Sequence, residues 1–386
     1  MSRLARRMAN IRPFHVMALL ARARELEAGG RSIVHMEIGE PDFITPQPVI
    51  DAGIRALREG RTHYTPAAGL TALRRRLSGF YRERYGVEVE AERIVITPGA
   101  SAALQLVLAV LVDPGDRVLM ADPGYPCNRN FVHLLNGVPV GLPVDAATNY
   151  QPHAALVNAA RTGSVAALLV ASPSNPTGTL LSERDIRALF TVTQSHGSRL
   201  VVDEIYHGLT YGDAASTALA ISDDIFVINS FSKYFGMTGW RLGWLVAPRE
   251  YLPEIDKLAQ NLYLAAPTLA QYAALTAFDP ENIAILEGRR LEFRTRRDYL
   301  LPALRALGFE IAGTPAGAFY LYADCSRYTG DSYEFSARLL EEAGVAITPG
   351  IDFGIHRPER HVRFAYTTSL ENLEEGVRRL KEYLGT

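Results

Sequence analysis

Short apolar segments alternate with helix-like segments through the middle of the chain. Mainly apolar runs occur at RIVIT, RVLMAD, SVAALLVAS, RLVVD and IFVIN, and segments such as AALQLVLAVLV among them have the character of buried helices. Strands without a polar face are typical of a parallel sheet that is covered by helices on both sides. The pattern therefore predicts a large α/β domain over residues 46–279, with a mostly parallel central sheet.

The two ends of the chain show a different pattern. RRLEFRTRRDYLLPALRALG predicts a long charged helix, and FEIAGTPAGAFYLYADC predicts a strand, a turn and a second strand. Another helix, two short strands at VAITPG and HVRFAYTTS, and a final helix follow. These elements predict a smaller α+β domain made of residues 280–386 together with residues 1–45. We expect the charge run RTRRDYL to be a solvent-exposed helix face.

Composition and charge exclude several classes of function. The 386 residues are 48% hydrophobic and 21% charged, with a formal net charge of −2, so no positive surplus favours nucleic acid or an anionic membrane. The sequence contains no run of about 18 apolar residues, and VMALLA is too short for a signal sequence. Cys127 and Cys325 form neither a disulfide framework nor a metal-binding spacing. We expect a cytoplasmic protein without a metal site.

Polar side chains follow the predicted strands at the edge where a ligand would bind. In open α/β sheets, ligands bind beyond the carboxyl ends of the strands. Ser101 follows RIVIT in a glycine turn that begins a helix, where backbone N–H groups can hold a phosphate. The next predicted strands end at Asn175, at Asp203 and, in IFVINSFSK, at Lys233, and Tyr206 lies three residues after Asp203. Each has an ordinary alternative, as a turn residue, a helix cap or a solvated charge, but together they indicate one crevice.

Lys233 is unusual because the chain has only three lysines among its 40 lysine and arginine residues. Arginine stays protonated, whereas lysine can lose its proton and react as an amine. Pyridoxal 5'-phosphate requires an amine that can bond to its aldehyde and a carboxylate that can pair with its pyridine nitrogen. It also requires hydrogen-bond donors for its phenolate oxygen, here an amide and a phenol, and a turn that binds its phosphate. The set of residues therefore predicts this cofactor.

Three segments resemble the signature blocks of the class I/II aminotransferase family. They are SPSNPTG at 172–178, DEIY at 203–206 and SFSKYFGMTGWRLG at 230–243, with 28 residues from Asn175 to Asp203 and 30 from Asp203 to Lys233. Similar segments at IGEPDF, YTPAAGLTALR and VRFAYTTS extend the resemblance over nearly the whole chain. The resemblance implies a fold-type I pyridoxal-phosphate transferase, with the large α/β and small α+β domains described above.

The resemblance also implies a role for each matching residue. Lys233 would bond to the cofactor aldehyde and later move the Cα proton of the substrate. Asp203 would pair with the pyridine nitrogen, whereas Asn175 and Tyr206 would hydrogen-bond the phenolate oxygen. Tyr125 would stack on the ring. The residues expected to hold the phosphate are Gly99, Ala100, Ser101, Ser230, Ser232 and Arg241.

A tyrosine outside these blocks implies a second subunit. Tyr64 resembles a tyrosine that reaches the cofactor phosphate from the neighbouring subunit, which would make the protein a homodimer with shared active sites. The alternative is that Tyr64 is an ordinary packing residue.

The resemblance assigns the substrate carboxylate to Arg363. This residue lies in the strand pattern VRF and would bind the carboxylate through two parallel hydrogen bonds, although Arg357 and Arg360 lie nearby in the sequence. Gly39 would offer its backbone N–H to the same carboxylate, and Asn175 is expected to contact the substrate as well.

The implied reaction moves an amino group between an L-amino acid and a 2-oxo acid by a ping-pong mechanism. Some aspartate-using relatives carry a lysine in the turn where this chain has Ser101, so neutral or aromatic donors are favoured over aspartate. A C–S lyase on the same scaffold is the alternative, because the cofactor motifs do not separate the two reactions. A pyridoxal-phosphate sensor fused to a DNA-binding domain is disfavoured, because the sequence contains no basic DNA-binding segment.

Overall fold

The fold is described from a computed structural model, which describes residues 4–212 and 215–385. The helices are α1 (His15–Ala28), α2 (Gln47–Arg58), α3 (Thr71–Tyr85), α4 (Ala100–Leu111), α5 (Pro126–Leu134), α6 (Ala154–Ala159), α7 (Glu183–Ser195), α8 (Leu252–Leu262), α9 (Thr268–Ala274), α10 (Pro280–Ala306), α11 (Ser332–Arg338) and α12 (Leu370–Leu384). The strands are β1 (Val34–His35), β2 (Ile94–Thr97), β3 (Arg117–Asp122), β4 (Val138–Pro143), β5 (Val165–Ala171), β6 (Arg199–Asp203), β7 (Phe226–Ser230), β8 (Gly243–Val246), β9 (Tyr320–Asp324), β10 (Val345–Ala346), β11 (Thr348–Pro349) and β12 (His361–Ala365). Within the described residues, no helix is long and apolar enough to cross a membrane.

The central sheet has seven strands in the order β2-β8-β7-β6-β5-β3-β4. The strands β4, β3, β5, β6 and β7 run parallel, and β8 is antiparallel to both of its neighbours. Every residue of β2, β7 and β8 is buried, which is what strands covered on both faces require. The prediction of an α/β fold with a mostly parallel central sheet is confirmed.

Two smaller sheets join the ends of the chain. Strands β11, β12 and β9 form an antiparallel sheet, and β1 pairs in parallel with β10. Helix α1 contacts both β10 and β11, so the N-terminal segment packs on the C-terminal part of the chain. FEIAGTPAGAFYLYADC forms β9 but not a second full strand, because its first part contributes only an isolated bridge between Glu310 and Asp324. The domain boundaries remain a prediction.

The charge run on α10 is only partly the solvent-exposed face that the sequence predicts, because Arg294, Thr295 and Asp298 are exposed whereas the two arginines between them are buried. Arg296 and Arg297 are only 3% and 7% exposed. Arg296 donates to Asp42 at 2.9 Å, and its guanidinium lies 5.0 Å from the ring centroid of Phe43 and 5.4 Å from that of Phe293. A guanidinium can pack flat on aromatic rings while its N–H groups reach a carboxylate. Charge pattern along one helix cannot reveal such distant partners.

Strand β7 ends at Ser230, three residues earlier than the sequence pattern predicts. The backbone N–H of Ser232 donates to the Ser230 hydroxyl at 3.0 Å, and the two hydroxyls are also 3.0 Å apart. Such local side-chain bonds replace the bonds of a strand ladder and turn the chain. Lys233 therefore lies on a turn beyond the sheet edge.

Candidate active site

A cavity of about 210 Å³ opens where β5 and β6 end and α4 begins. Its walls come from both the central sheet and the smaller sheets, so residues far apart in the sequence meet there. Nine of the predicted site residues line this cavity: Gly39, Ala100, Ser101, Tyr125, Asn175, Asp203, Tyr206, Lys233 and Arg363. The expected crevice beyond the carboxyl ends of the strands is present in the structure.

Lys233 extends from the turn after β7 into the cavity wall. Its Nζ donates to the carbonyl oxygen of Gly39 at 2.7 Å and lies 5.8 Å from the ring centroid of Phe319. Burial is the main cause that lowers the pKa of Lys233 to about 8, because the charged form loses hydration. An amine with this pKa is partly neutral near pH 7.5, and it can therefore act as a nucleophile or a base.

Asp203 ends β6 and is only 5% exposed. Its carboxylate accepts a hydrogen bond from the backbone N–H of Ile205 at 3.0 Å. Burial raises the pKa of Asp203 to about 7, although that hydrogen bond and the positive charge of Lys233 oppose the rise. A buried carboxylate of this kind is stabilised by a cation placed against it, and a protonated pyridine nitrogen is one such cation.

Tyr206 lies in the cavity wall, in contact with Tyr320, a residue that the sequence motifs do not predict. Its hydroxyl oxygen is 2.8 Å from that of Tyr320, and both side chains are buried. Tyr320 also explains why position 39 is glycine, because a Cβ atom on Gly39 would overlap the Tyr320 hydroxyl. An aromatic residue in the strand pattern GAFYLYADC is typical of a core, and no local signal marks Tyr320 as part of a site.

Arg363 lies on β12, where it pairs with Thr348 of β11. One terminal nitrogen donates to the Asn175 side-chain oxygen at 2.9 Å, and the other donates to the Thr348 hydroxyl at 3.1 Å. The guanidinium lies between two rings, 4.3 Å from the centroid of Tyr320 and 5.0 Å from that of Phe353. This buried, forked cation at the cavity surface has the chemistry that binds a carboxylate.

The two competing arginines lie elsewhere. Arg357 and Arg360 line a separate groove, and Arg360 donates to the Asp324 carboxylate at 2.8 Å. Of Arg357, Arg360 and Arg363, the structure therefore brings Arg363 to the cavity.

The register of the central sheet assembles the predicted phosphate end. Gly243 pairs with Thr97 on one side and with Ser230 on the other, which brings the end of β7 close to the start of α4. Gly99 has a φ of 80°, and a Cβ atom there would lie 2.8 Å from a guanidinium nitrogen of Arg241. An anion can be bound here by the N–H groups in the first turn of α4, by the guanidinium of Arg241 and by the hydroxyls of Ser230 and Ser232. The arrangement fits a phosphate group.

The N-terminal segment forms the opposite wall of the cavity, and no sequence motif predicts this. Phe14 and Val16 line the cavity, and the ring centroid of Phe14 is 6.5 Å from that of Tyr125. The Asp352 carboxylate accepts the backbone N–H groups of His15 and Val16, each at 2.8 Å, and also contacts the His15 ring. Asp352 thus caps α1 from a distant segment and holds this wall in place.

Tyr64 is not brought to this cavity. Its side chain is 81% exposed and borders a surface hollow together with His63 and Pro267. A contribution of Tyr64 to the site of a second subunit stays a prediction.

The fold and the residues at the cavity agree with the fold-type I transferase that the sequence motifs predict. The sequence pattern of the family described as "Aminotransferase class I and II" matches residues 31–380. The chain belongs to this family, whose members are generally pyridoxal-phosphate-dependent, as the sequence motifs predict.

Individual relatives agree over nearly the full length. The chain is 38% identical to valine–pyruvate aminotransferase of Mycobacterium tuberculosis, over 97% of both chains. It is 37% identical to (5-formylfuran-3-yl)methyl phosphate transaminase of Methanocaldococcus jannaschii, over 99% of both. A crystal structure of an aminotransferase from Mycobacterium tuberculosis superposes with a TM-score of 0.97 at 38% identity, covering 100% of both chains.

Proposed function

We propose that this aminotransferase uses pyridoxal 5'-phosphate to exchange an amino group between a neutral or aromatic L-amino acid and a 2-oxo acid, in two half-reactions. One observation carries the proposal. The cavity combines Lys233, whose pKa is lowered to about 8, with a buried carboxylate at Asp203 and a carboxylate-binding fork at Arg363. An amine, an anion for a ring nitrogen and a carboxylate anchor are what this chemistry needs.

The cofactor would be held at both of its ends by this chain. Its phosphate fits the start of α4 with Arg241 and the serines at 230 and 232, and its ring nitrogen fits Asp203. When bound, pyridoxal phosphate supplies a sink for the negative charge that develops on the substrate Cα. The Lys233 amine would take the proton from the substrate Cα and deliver it to the carbon atom that carries the aldehyde in the free cofactor.

Arg363 and Asn175 would orient the substrate through its α-carboxylate. The fork of Arg363 matches the two carboxylate oxygens, and packing between Tyr320 and Phe353 fixes the plane of the guanidinium. A fixed carboxylate places the Cα–H bond in one orientation relative to Lys233. Orientation of this kind contributes directly to the rate.

The charges of the cavity support neutral or aromatic donors. The described residues that line the cavity include one lysine, Lys233, and one arginine, Arg363. They also include three acidic residues: Glu37, Asp203 and Asp352. A second carboxylate on the substrate would find no further lysine or arginine among these lining residues. The names of the two relatives given above refer to different substrates, so they do not indicate which donor this chain prefers. The proposed preference for neutral or aromatic donors is therefore based on the cavity.

A donor and acceptor screen tests the reaction. Purified holoenzyme is given single L-amino acids with 2-oxoglutarate or pyruvate, and the new amino acid is quantified. We expect transfer from neutral or aromatic donors to exceed transfer from aspartate. Release of pyruvate and ammonia from a thioether amino acid without amino transfer would instead support the C–S lyase.

The substitution Ser101→Lys tests the donor preference directly. A lysine at the cavity wall should raise the use of aspartate relative to neutral donors.

We also propose a homodimer with shared sites. Tyr64 is exposed on this chain, and the exposed apolar residues Leu262 and Leu264 flank the segment that borders the same hollow. Mixing Lys233→Ala protein with Tyr64→Ala protein under subunit exchange tests the sharing. If the partner supplies Tyr64, each hybrid dimer regains one intact site, and activity should rise above that of either variant. Activity that stays at the level of the separate variants contradicts a shared site.

A further inference from the structure

Tyr320 stands between the two functional ends of the cavity. Its hydroxyl is 2.8 Å from the hydroxyl of Tyr206, and its ring lies 4.3 Å from the guanidinium carbon of Arg363. The side chain is 1% exposed and lines the cavity. A single residue therefore touches both the phenol expected at the cofactor and the cation expected at the substrate.

Close contacts restrict the side-chain orientations of Tyr206 and Tyr320. Their rings are 5.7 Å apart and nearly perpendicular, at 83°, and Tyr206 also packs edge-on against Phe319 at 5.4 Å. Gly39 closes the remaining side, since any side chain there would collide with the Tyr320 hydroxyl. The Tyr206 hydroxyl has one hydrogen to donate, and a fixed neighbouring hydroxyl determines where that hydrogen points.

We propose that Tyr320 is a positioning residue, which directs the Tyr206 hydroxyl towards the cofactor and supports the Arg363 guanidinium for the substrate carboxylate. This inference rests on the proposed function and adds a residue to it. When the Tyr320 hydroxyl donates to the Tyr206 oxygen, the Tyr206 hydrogen is left for an acceptor in the cavity. A chain of two hydroxyls also polarises the second one and strengthens its donation.

The two roles are separated by two substitutions. Tyr320→Phe removes the hydroxyl and keeps the ring beneath Arg363, whereas Tyr320→Leu removes both. For Tyr320→Phe, the pH midpoint of the visible absorbance of the holoenzyme should rise by about 0.5–1 unit, because a weakened hydrogen bond stabilises the deprotonated cofactor less. The kcat should fall about 3–10-fold, while KM for the amino donor stays within about twofold.

Tyr320→Leu should show the same absorbance shift and, in addition, about a tenfold higher KM for the amino donor, because the guanidinium loses a stacking face. Tyr322→Phe is the matched control. Tyr322 is a buried tyrosine on the same strand, but its ring stacks on His361 at 4.7 Å and borders the separate groove. It should leave the absorbance midpoint and both kinetic constants unchanged.

A double-substitution test decides whether the effect passes through Tyr206. In a Tyr206→Phe background, adding Tyr320→Phe should shift the absorbance midpoint no further. An equal shift in both backgrounds, or an unchanged midpoint and KM in the single variants, would overturn the proposal. The absorbance titration does not depend on turnover, so wild-type protein that binds the cofactor without amino transfer would refute the proposed function and leave this test standing. Circular dichroism of each variant shows whether it is folded. If a Tyr320 variant does not fold, the absorbance midpoint of Tyr206→Phe is compared with that of wild type instead.

Discussion

The proposed cofactor half of the cavity (Asn175, Asp203 and Lys233) and the proposed substrate half (Phe14, Tyr320 and Arg363) arise from the sequence in different ways. Asn175, Asp203 and Lys233 lie at or just beyond the carboxyl ends of neighbouring parallel strands of the central sheet, so these strands bring them to one edge in a predictable way. Arg363 and Tyr320, in contrast, come from the small antiparallel sheet, and Phe14 comes from the N-terminal segment. The first half can be recognised from local motifs because its scaffold is regular. The second half is assembled by contacts between segments more than 300 residues apart.

Lys233→Ala tests the cofactor half most severely. Without its amine, the chain has no group in the cavity to hold the cofactor covalently or to move the substrate proton, so kcat should fall at least about 10³-fold. The variant should lose the visible absorbance of the holoenzyme, and borohydride should no longer fix the cofactor to the chain. Lys257→Ala, a change at a surface lysine paired with Glu254, serves as the control. Borohydride trapping that persists in Lys233→Ala would contradict the assignment.

Arg363→Lys tests the substrate half. Lysine keeps the charge but loses the planar fork, so kcat/KM for both the amino acid and the 2-oxo acid should fall about 10–100-fold. The cofactor content should stay at the wild-type level, which separates this defect from that of Lys233→Ala. Arg360→Lys is the matched control because Arg360 is bound to Asp324 in the neighbouring groove. A comparable loss in Arg360→Lys would break the distinction between the two arginines.

Asp352→Ala should have a smaller effect that is confined to the substrate half. Loss of the cap on α1 costs about 1 kcal/mol, and the loosened wall at Phe14 and Val16 should raise KM for apolar donors about fivefold. Asp331→Ala removes a similar cap, since Asp331 accepts the backbone N–H groups of Tyr333 and Glu334 at the start of α11. Both variants should lose stability in thermal melts, but only Asp352→Ala should change KM. If KM for apolar donors is the same in Asp352→Ala and Asp331→Ala, the cap on α1 does not shape the cavity.

Asp203→Asn should change the pH dependence of stability of the cofactor-free protein. The pKa of Asp203 is raised to about 7 in the folded chain, whereas an unfolded aspartate has a pKa near about 3.9. Between these values the folded state binds more protons, so the stability contribution of this group falls as pH rises from about 4 to 7. Asparagine removes this loss, and the Tm of the variant relative to wild type should be higher by a few degrees at pH 8 than at pH 5. A constant difference would contradict the raised pKa, and added cofactor should reduce the effect by supplying a cation.

The sequence motifs predicted nine of the residues that line the cavity, but they did not predict others, such as Phe14 and Tyr320. Sequence reasoning placed Lys233 at a strand end, although hydrogen bonds between Ser230 and Ser232 end the strand earlier. It also expected Arg296 to be solvated, although Asp42 and two aromatic rings bury it. Both differences arise from side-chain contacts that periodicity does not record.

The sequence by itself determined the mostly parallel sheet, the family and the chain order of the residues that are proposed to bind the cofactor, because apolar runs and motif spacings are local features of the chain. Only the tertiary structure decided why Gly39 has no side chain and that Tyr320 joins Tyr206 to Arg363. These features depend on how the small sheet and the N-terminal segment pack against the edge of the central sheet. Packing of this kind is set by the shapes of distant side chains, which leave no local pattern along the chain.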